Sequence, residues 1–511
     1  MSNCYWIEEY GAYQLCASGA PLPDLPEYWV RWDNGQALEG VPATREFTPS
    51  GYYSGRLAPL SSQAAYGNGT LVNTGTYDAG STGTGGDYSY TFAYSTDDGF
   101  TFSDPIDQRT WLPGTNDGGY DSMNGQWVNT FYYMNTQIVF DTAASRFVTV
   151  GAWGNDEGYS PTTKETIVTR VSTDGQSWTE NVIYDSEYNV MHIAAYDGDI
   201  WYLSNRDWES LLGDGNSIYS MAYSGNDGAS YSVLEFDPDW DTNNNSPRCE
   251  QYSDLSANST GCHVIAEVFD LNTFDYGSYY WRPTSNTTWA APIFLWDKDN
   301  DFPTAPGNGA SDLGGQILAC QVNDHDLILS VIMGYDYASI WLKRSTDGGV
   351  TWSAETLIHA FNSSAPYYES FAWGHSQGLI EIVELDDGRL VCCTVVEAYY
   401  PGYELVAEGA FDDYPGWTGY MVSEDGGITW STWTLISPFW VSDQTYYGSR
   451  FRACAKGVDV VITCTNSRAG SFNMIFRPTS DPEPEFLVPP SMVLPAIPVS
   501  AEDEFPNPAF P

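Results

Sequence analysis

Basic residues are scarce in this chain. Nineteen lysines and arginines face 67 aspartates and glutamates over 511 residues, a net charge of −48. Only Lys164, Lys298, Lys343 and Lys456 are lysines. Such a chain repels phosphate backbones and anionic membranes, so nucleic-acid binding is excluded as a first reading. The acidity reads as a solvated surface suited to salty surroundings. Long apolar runs are also missing. No stretch has the roughly 18 apolar residues that a membrane-spanning helix requires, so no membrane insertion is expected. The N-terminus, MSNCYWIEEYGAYQL, has neither a basic n-region nor an apolar h-region, so no signal peptide is read there and synthesis in the cytosol is expected. No C-x-x-C pair, G-x-S-x-G, Walker or dinucleotide motif occurs. Helical periodicity is almost absent.

Nine cysteines leave at least one thiol unpaired. Cys392 and Cys393 are adjacent in an apolar run and read as core residues on opposite faces. Cys249 and Cys262 flank what reads as one loop and could bridge in an oxidising medium. The five histidines, His192, His263, His325, His359 and His375, lack metal spacing and read as packed or surface residues.

What is present is repetition. STDGGVTW (345–352) has near-copies in STDDGFTF (95–102), STDGQSW (172–178) and SEDGGITW (423–430). Weaker copies centre on Asn226, Asn286 and Asp481. Aligned on the third position, the copies are spaced 52 to 78 residues apart, with a mean of 64. That length suits a four-stranded antiparallel blade with loops. The segments between copies agree. QILACQV, LILSVIMG, SIWLKR and ETLIHAF are short apolar runs bounded by turn residues, and the next unit repeats the plan. Seven units fit, and the expected fold is an all-β, seven-bladed β-propeller, with six blades as the alternative. The propeller is assigned to 51–481, between an N-terminal arm (1–50) and a Pro-rich tail (482–511). The last unit lacks a convincing fourth strand. EFLVP or an N-terminal strand such as CYWIEEY is expected to close the ring.

Within each copy the serine and aspartate can accept backbone N–H bonds, glycine supplies positive φ, and the final aromatic ring plugs the space between sheets. The residues concerned are Ser95, Asp97, Gly99 and Phe102; Ser172, Asp174 and Trp178; Ser345, Asp347, Gly349 and Trp352; and Ser423, Asp425, Gly427 and Trp430. They read as a structural turn joining the third and fourth strands. The pattern resembles the Asp-box, or BNR repeat, S-x-D-x-G-x-T-W. That resemblance implies a β-propeller. It says less about function, since sialidases, glycan hydrolases, assembly factors and non-catalytic binding proteins share it. For a sialidase it implies an arginine cluster that holds a carboxylate, a Tyr nucleophile activated by a Glu, and an Asp acid/base. Arg56 in GRLAPL is in a comparable place, and Arg206, Arg450 and Arg452 fall near strand ends or loops of the elaborate face. The chain departs from that pattern where RLAP replaces RIP and where RAGSFNMIF offers no Tyr.

First-to-second strand turns are tight, whereas the connections on the opposite face are long. The long ones include 104–135, 204–216, 237–261, 297–315, 362–378 and 398–417, which makes that face the expected binding surface. The 397–417 loop carries Tyr399, Tyr400, Tyr403, Tyr414 and Trp417, rings suited to stacking on sugars or docking a protein. Asp237, Asp239 and Asp241, and Asp297, Asp299 and Asp301, alternate as Ca²⁺ ligands can, but lack the EF-hand Gly and Glu. No cofactor is expected beyond that possible Ca²⁺. Asp227, Asp412 and Asp413 are further acids that sequence alone cannot pair.

The tail holds nine prolines in 30 residues yet carries Phe486, Leu487, Met492, Val493, Leu494, Ile497 and Phe510, which suits docking in an assembly. The combined expectation is a phage or virion structural protein of tail, fibre or capsid surface. It would be made in the host cytoplasm, bind a host-surface glycan or another protein with its loop face, and be held by its termini to other virion proteins or to copies of itself. A sialidase-like glycan hydrolase is the alternative, and an intracellular assembly scaffold a third.

Overall fold

Short apolar runs bounded by turn residues satisfy their backbone only by pairing with one another. The computed structural model describes residues 57–78, 88–97, 137–153, 165–186, 192–206, 218–235, 248–269, 276–297, 315–322, 325–333, 339–360, 380–399, 416–438, 451–466 and 470–478, with short pieces at 6–7, 12–13, 43–46, 103, 106–107, 119–121, 126–128 and 368–370. Among these residues the structure is all β, and no helix is long and apolar enough to cross a membrane.

The strands form antiparallel sheets that follow one another along the chain. Their first strands are Leu57–Gly67, Gln137–Asp141, His192–Tyr196, Arg248–Asn258, Gly315–Ala319, Ile380–Glu384 and Phe451–Lys456. Each first strand lies against the next in this order, and Phe451–Lys456 returns to lie against Leu57–Gly67. The result is a β-propeller with the first strands innermost. Six of the sheets have four strands, the number of the six-bladed alternative. The reading of seven uniform four-stranded units is corrected by the remaining sheet, which has five. There Tyr368–Ser370 and Ile380–Glu384 both pair with Leu390–Tyr399.

The core is divided among the gaps between neighbouring sheets. Val72 and Phe147 fill the gap between the first and second sheets, Val150 and Tyr202 the next, and Trp201 and Val264 the one after. Ile265 and Ile328 pack the fourth gap, and Ala64 and Val461 pack the seam where the chain's two ends meet. Cys392 and Cys393 are both fully buried on a central strand.

That seam is closed by an N-terminal strand, as one of the two sequence readings expected, but not by CYWIEEY. Ala43–Glu46 supplies the fourth strand, antiparallel to Gly470–Phe476, with Thr44 opposite Met474. Trp6–Ile7 of CYWIEEY pairs instead with Ala12–Tyr13, and EFLVP lies outside the described residues.

The repeated turn joins the third and fourth strands in five of the sheets. Ser95, Ser172, Ser224, Ser345 and Ser423 each end a third strand. In the best copy, Asp347 Oδ1 accepts N–H bonds from Val350 and Thr351 at 3.0 and 2.9 Å, and the Thr351 hydroxyl donates to Oδ2 at 2.6 Å. Ser345 Oγ accepts the Gly349 N–H at 2.8 Å. Trp352 then packs edge-on against Tyr280 of the preceding sheet, centroids 4.9 Å apart. Asp425 and the shorter Asp174 copy make the same type of turn. Asn226 does so too, accepting the Ser230 N–H at 3.1 Å. Gly99, Phe102 and the Asp481 copy lie outside the described residues.

Two local expectations are corrected. The stretch 237–261, read as loop, contains the inner strand Arg248–Asn258. It reads as loop because it is polar: Asp254 Oδ2 accepts the Ile317 N–H at 3.0 Å, Ser256 Oγ accepts that of Ala319 at 2.9 Å, and Asn258 Nδ2 donates to His325 O at 2.8 Å. An innermost strand has a free edge, and here side chains of one sheet satisfy the edge amides of the next. The Cys249–Cys262 bridge is also absent, and Cys262 is a buried free thiol. Cys249 lies opposite Val268 whereas Cys262 lies opposite Ala257. Six residues of strand, roughly 20 Å, separate Cys262 from Val268, far beyond disulfide reach.

Candidate functional site

Four residues before the close of each first-to-second strand turn, the seven inner strands carry Gln63, Gln137, His192, Asp254, Gln316, Glu381 and Arg452. One polar residue per sheet therefore sits at a single level of the axis, at the end nearer the long connections. The tight turns and the Ser-x-Asp turns lie at the other end.

Four of these residues form a charged cluster. Arg452 Nη1 donates to Glu381 Oε1 of the adjacent sheet at 2.7 Å. Arg452 Nη2 reaches across the axis to His192 Nδ1 at 3.4 Å. A guanidinium only donates, so Nδ1 is the acceptor in this contact. Asp254 Oδ1 stands 3.8 Å from the same Nδ1. Side-chain exposures of 13% for Asp254, 15% for His192, 16% for Arg452 and 9% for Glu381 leave each within reach of a ligand from the axis.

Their ionisation follows from this packing. Burial pushes the Asp254 carboxyl up to about 7, with Arg452 pulling it down and the nearby Glu381 pushing it further up. Burial also raises Glu381, against the pull of Arg452 and a hydrogen bond from Gln316. Glu381 has the short contact to the guanidinium and is the more readily ionised of the pair; Asp254 is the acid that holds its proton towards neutrality. Arg452 Nε is buried without a hydrogen-bond partner among the described residues.

At the tight-turn end the axis is bridged. Thr142, in the turn of the second sheet, donates to Gln321 Oε1 at 2.6 Å, and Gln321, just after the inner strand of the fifth sheet, donates to Ala257 O at 2.7 Å. Thr142 and Gln321 come from opposite sides of the ring.

The residues singled out in the sequence fare unevenly. Arg206 ends the strand Asp199–Arg206, while Arg56 and Arg450 lie outside the described residues. Tyr399 ends an inner-sheet strand opposite Tyr368, and Trp417 lies opposite Val396. Tyr400, Tyr403 and Tyr414 lie outside the described residues, as do Asp237, Asp239, Asp241, Asp299 and Asp301. Asp297 ends the strand Ile293–Asp297. Among the described residues no group of three or more His, Cys, Asp or Glu side chains is arranged to hold a metal. Asp227 meets Arg146 in a contact between neighbouring sheets at the tight-turn end. Of the candidate arginines, Arg452 falls in the cluster; His192 was read as a packed or surface residue, and the axial acids were not singled out by sequence reasoning. The available signal was a lone polar residue at a fixed distance before each first turn.

No protein-family model and no curated protein sequence matches the chain. Solved structures resemble it at low scores. The Hadza microbial sialidase Hz136 shares 13% identity over 76% of this chain and 73% of its own, with a TM-score of 0.38. The NanB sialidase of Streptococcus pneumoniae shares 13% over 87% and 72%, with a TM-score of 0.39. The α-L-arabinanase of Penicillium chrysogenum, complexed with arabinobiose, shares 11% over 85% and 99%, with a TM-score of 0.38.

Proposed function

We propose that the protein is a glycan-active propeller in which Asp254 and Glu381 work as a glycoside-cleaving pair at the loop end of the axis. The observation that carries this reading is the environment of the two carboxyls: one buried acid pushed up to about 7, beside a second acid held 2.7 Å from a guanidinium. Glycoside cleavage needs such a division, a protonated acid for the leaving oxygen and an ionised one for the developing positive charge. Asp254 gives its proton to the glycosidic oxygen as the C–O bond breaks. Glu381, ionised through Arg452, faces the oxocarbenium-like centre, and water completes the hydrolysis. Arg452 positions Glu381. Release of reducing sugar from a broad glycan panel by full-length protein tests the reading, with Asp254→Asn as the control. Turnover lost in that variant supports it; turnover untouched by the substitution sinks it.

The virion reading is a second proposal, favoured by Tyr368 lying opposite Tyr399 at the base of the aromatic 397–417 loop. It predicts glycan or protein binding by that face with no turnover, and loss of assembly when 482–511 is removed.

A further inference from the structure

We infer that the axial site takes a glycan whose cleaved residue carries no acid group, an inference that rests on the catalytic reading above. Among the described residues the axial level holds two carboxyls and one guanidinium. That guanidinium already donates to two partners, Nη1 to Glu381 at 2.7 Å and Nη2 to His192 at 3.4 Å. A sugar carboxylate would have to share Arg452 with Glu381. That sharing sets a third acid beside Asp254 and Glu381, the latter 9% exposed, against one counter-charge.

The other residues at this level suit hydroxyls instead. Gln137 and Gln316 are neutral amides on the second and fifth inner strands. The long-range field acts in the same direction. A chain with a net charge of −48 lowers the local concentration of anionic glycans before any contact is made. Short-range charge balance and overall charge thus exclude the same ligands.

The test uses full-length protein and 4-methylumbelliferyl glycosides with a common leaving group. Pentosides, hexosides and N-acetylhexosaminides form one arm; glucuronide and N-acetylneuraminide form the other. The expected result is turnover of at least one acid-free glycoside, with kcat/KM roughly a hundredfold or more above either acidic one, since like charges across a desolvated contact oppose binding. Comparable or faster turnover of an acidic glycoside, abolished by Asp254→Asn, overturns the inference and leaves the catalytic pair standing. Failure of every substrate sinks the catalytic reading, and saturation-transfer NMR with the corresponding methyl glycosides then decides the ligand. Signal from acid-free sugars alone upholds the inference; signal from sialic acid or glucuronic acid, or from no sugar, overturns it.

Discussion

Arg452 and Glu381 belong to adjacent sheets, and their 2.7 Å contact is the shortest ionic link at the propeller's axis among the described residues. Neither residue has a strong reason to be ionised there without the other. Burial alone favours the neutral acid, and it also weighs against the charged guanidinium, whose proton is nonetheless held more tightly because of Glu381 and Asp254. The pair fixes the charge state of the site and ties the chain's last sheet to its neighbour.

Replacing Arg452 by Met leaves Glu381 and Asp254 facing each other without a counter-charge. We expect a loss of roughly 3 kcal/mol, the usual effect of removing one partner from a buried pair. The Arg452→Met/Glu381→Gln double variant should lose less than the sum of the two single variants. Urea midpoints of all four proteins measure this coupling, and strictly additive losses would show that the contact contributes nothing.

Asp254 makes stability depend on pH in an unusual direction. Its unfolded carboxyl titrates near ~3.9, whereas the folded one is pushed up to about 7 by burial. The folded state therefore holds the proton more tightly. The stabilisation is complete below about pH 4 and is lost as pH rises towards 7. Asp254→Asn removes this dependence and still offers an oxygen to the Ile317 N–H. Between pH 4.5 and 7.5 the wild type should lose stability relative to the variant. Parallel pH profiles for the two proteins would refute the shift. In turnover, a proton donor of this kind predicts a kcat/KM that falls about tenfold per pH unit above about 7.

The Ser-x-Asp turn makes a separate prediction. Its hydrogen bonds, that from the Thr351 hydroxyl foremost, hold Asp347 down to about 2. Asp347→Ala strands two backbone N–H groups and should cost about 1–2 kcal/mol, as loss of a helix N-cap does. Asp347→Asn should cost less, because Asn226 already makes this turn in the third sheet. Gly349→Ala should be the worst of the three. Gly349 has φ +84°, and an added Cβ would lie 1.9 Å from the Tyr280 hydroxyl. Thermal melts rank the variants, and an Asp347→Asn no better than Asp347→Ala would show that the acceptor geometry is not the cause.

These turns and the apolar strands around them were legible in the sequence because each is local. STDGGVTW carries its hydrogen-bond pattern within eight residues. The site was not legible, because it is written once per sheet in different residue types. Gln137, His192, Asp254, Gln316, Glu381 and Arg452 share no motif and stand far apart in the chain. Only the strand register shows that they occupy one level. The inner strand around Asp254 was hidden by the function of its own polar groups, since side chains that cap a neighbour's edge look like loop residues. The closing strand was hidden for a related reason. ATRE is short and mostly polar, whereas CYWIEEY has the aromatic content of a strand and its Trp6–Ile7 pairs elsewhere.

That closing strand supports a last prediction. Ala43–Glu46 pairs with Gly470–Phe476, so the sheet that completes the ring is built from both ends of the chain. Deleting residues 1–46 should expose the edge of Gly470–Phe476, a strand containing Phe472, Met474, Ile475 and Phe476. An apolar edge of this kind seeks another strand, so the deletion should lower the melting temperature and promote aggregation. Deleting only residues 1–42 keeps the closing strand and should spare most of that loss. Light scattering during thermal melts of the two truncations separates the cases. Equal behaviour of the two proteins would mean that Ala43–Glu46 does not hold the ring shut. If only the longer deletion aggregates, Ala43–Glu46 is what closes the ring, and the Arg452–Glu381 contact in the neighbouring sheets depends on a strand from the other end of the chain.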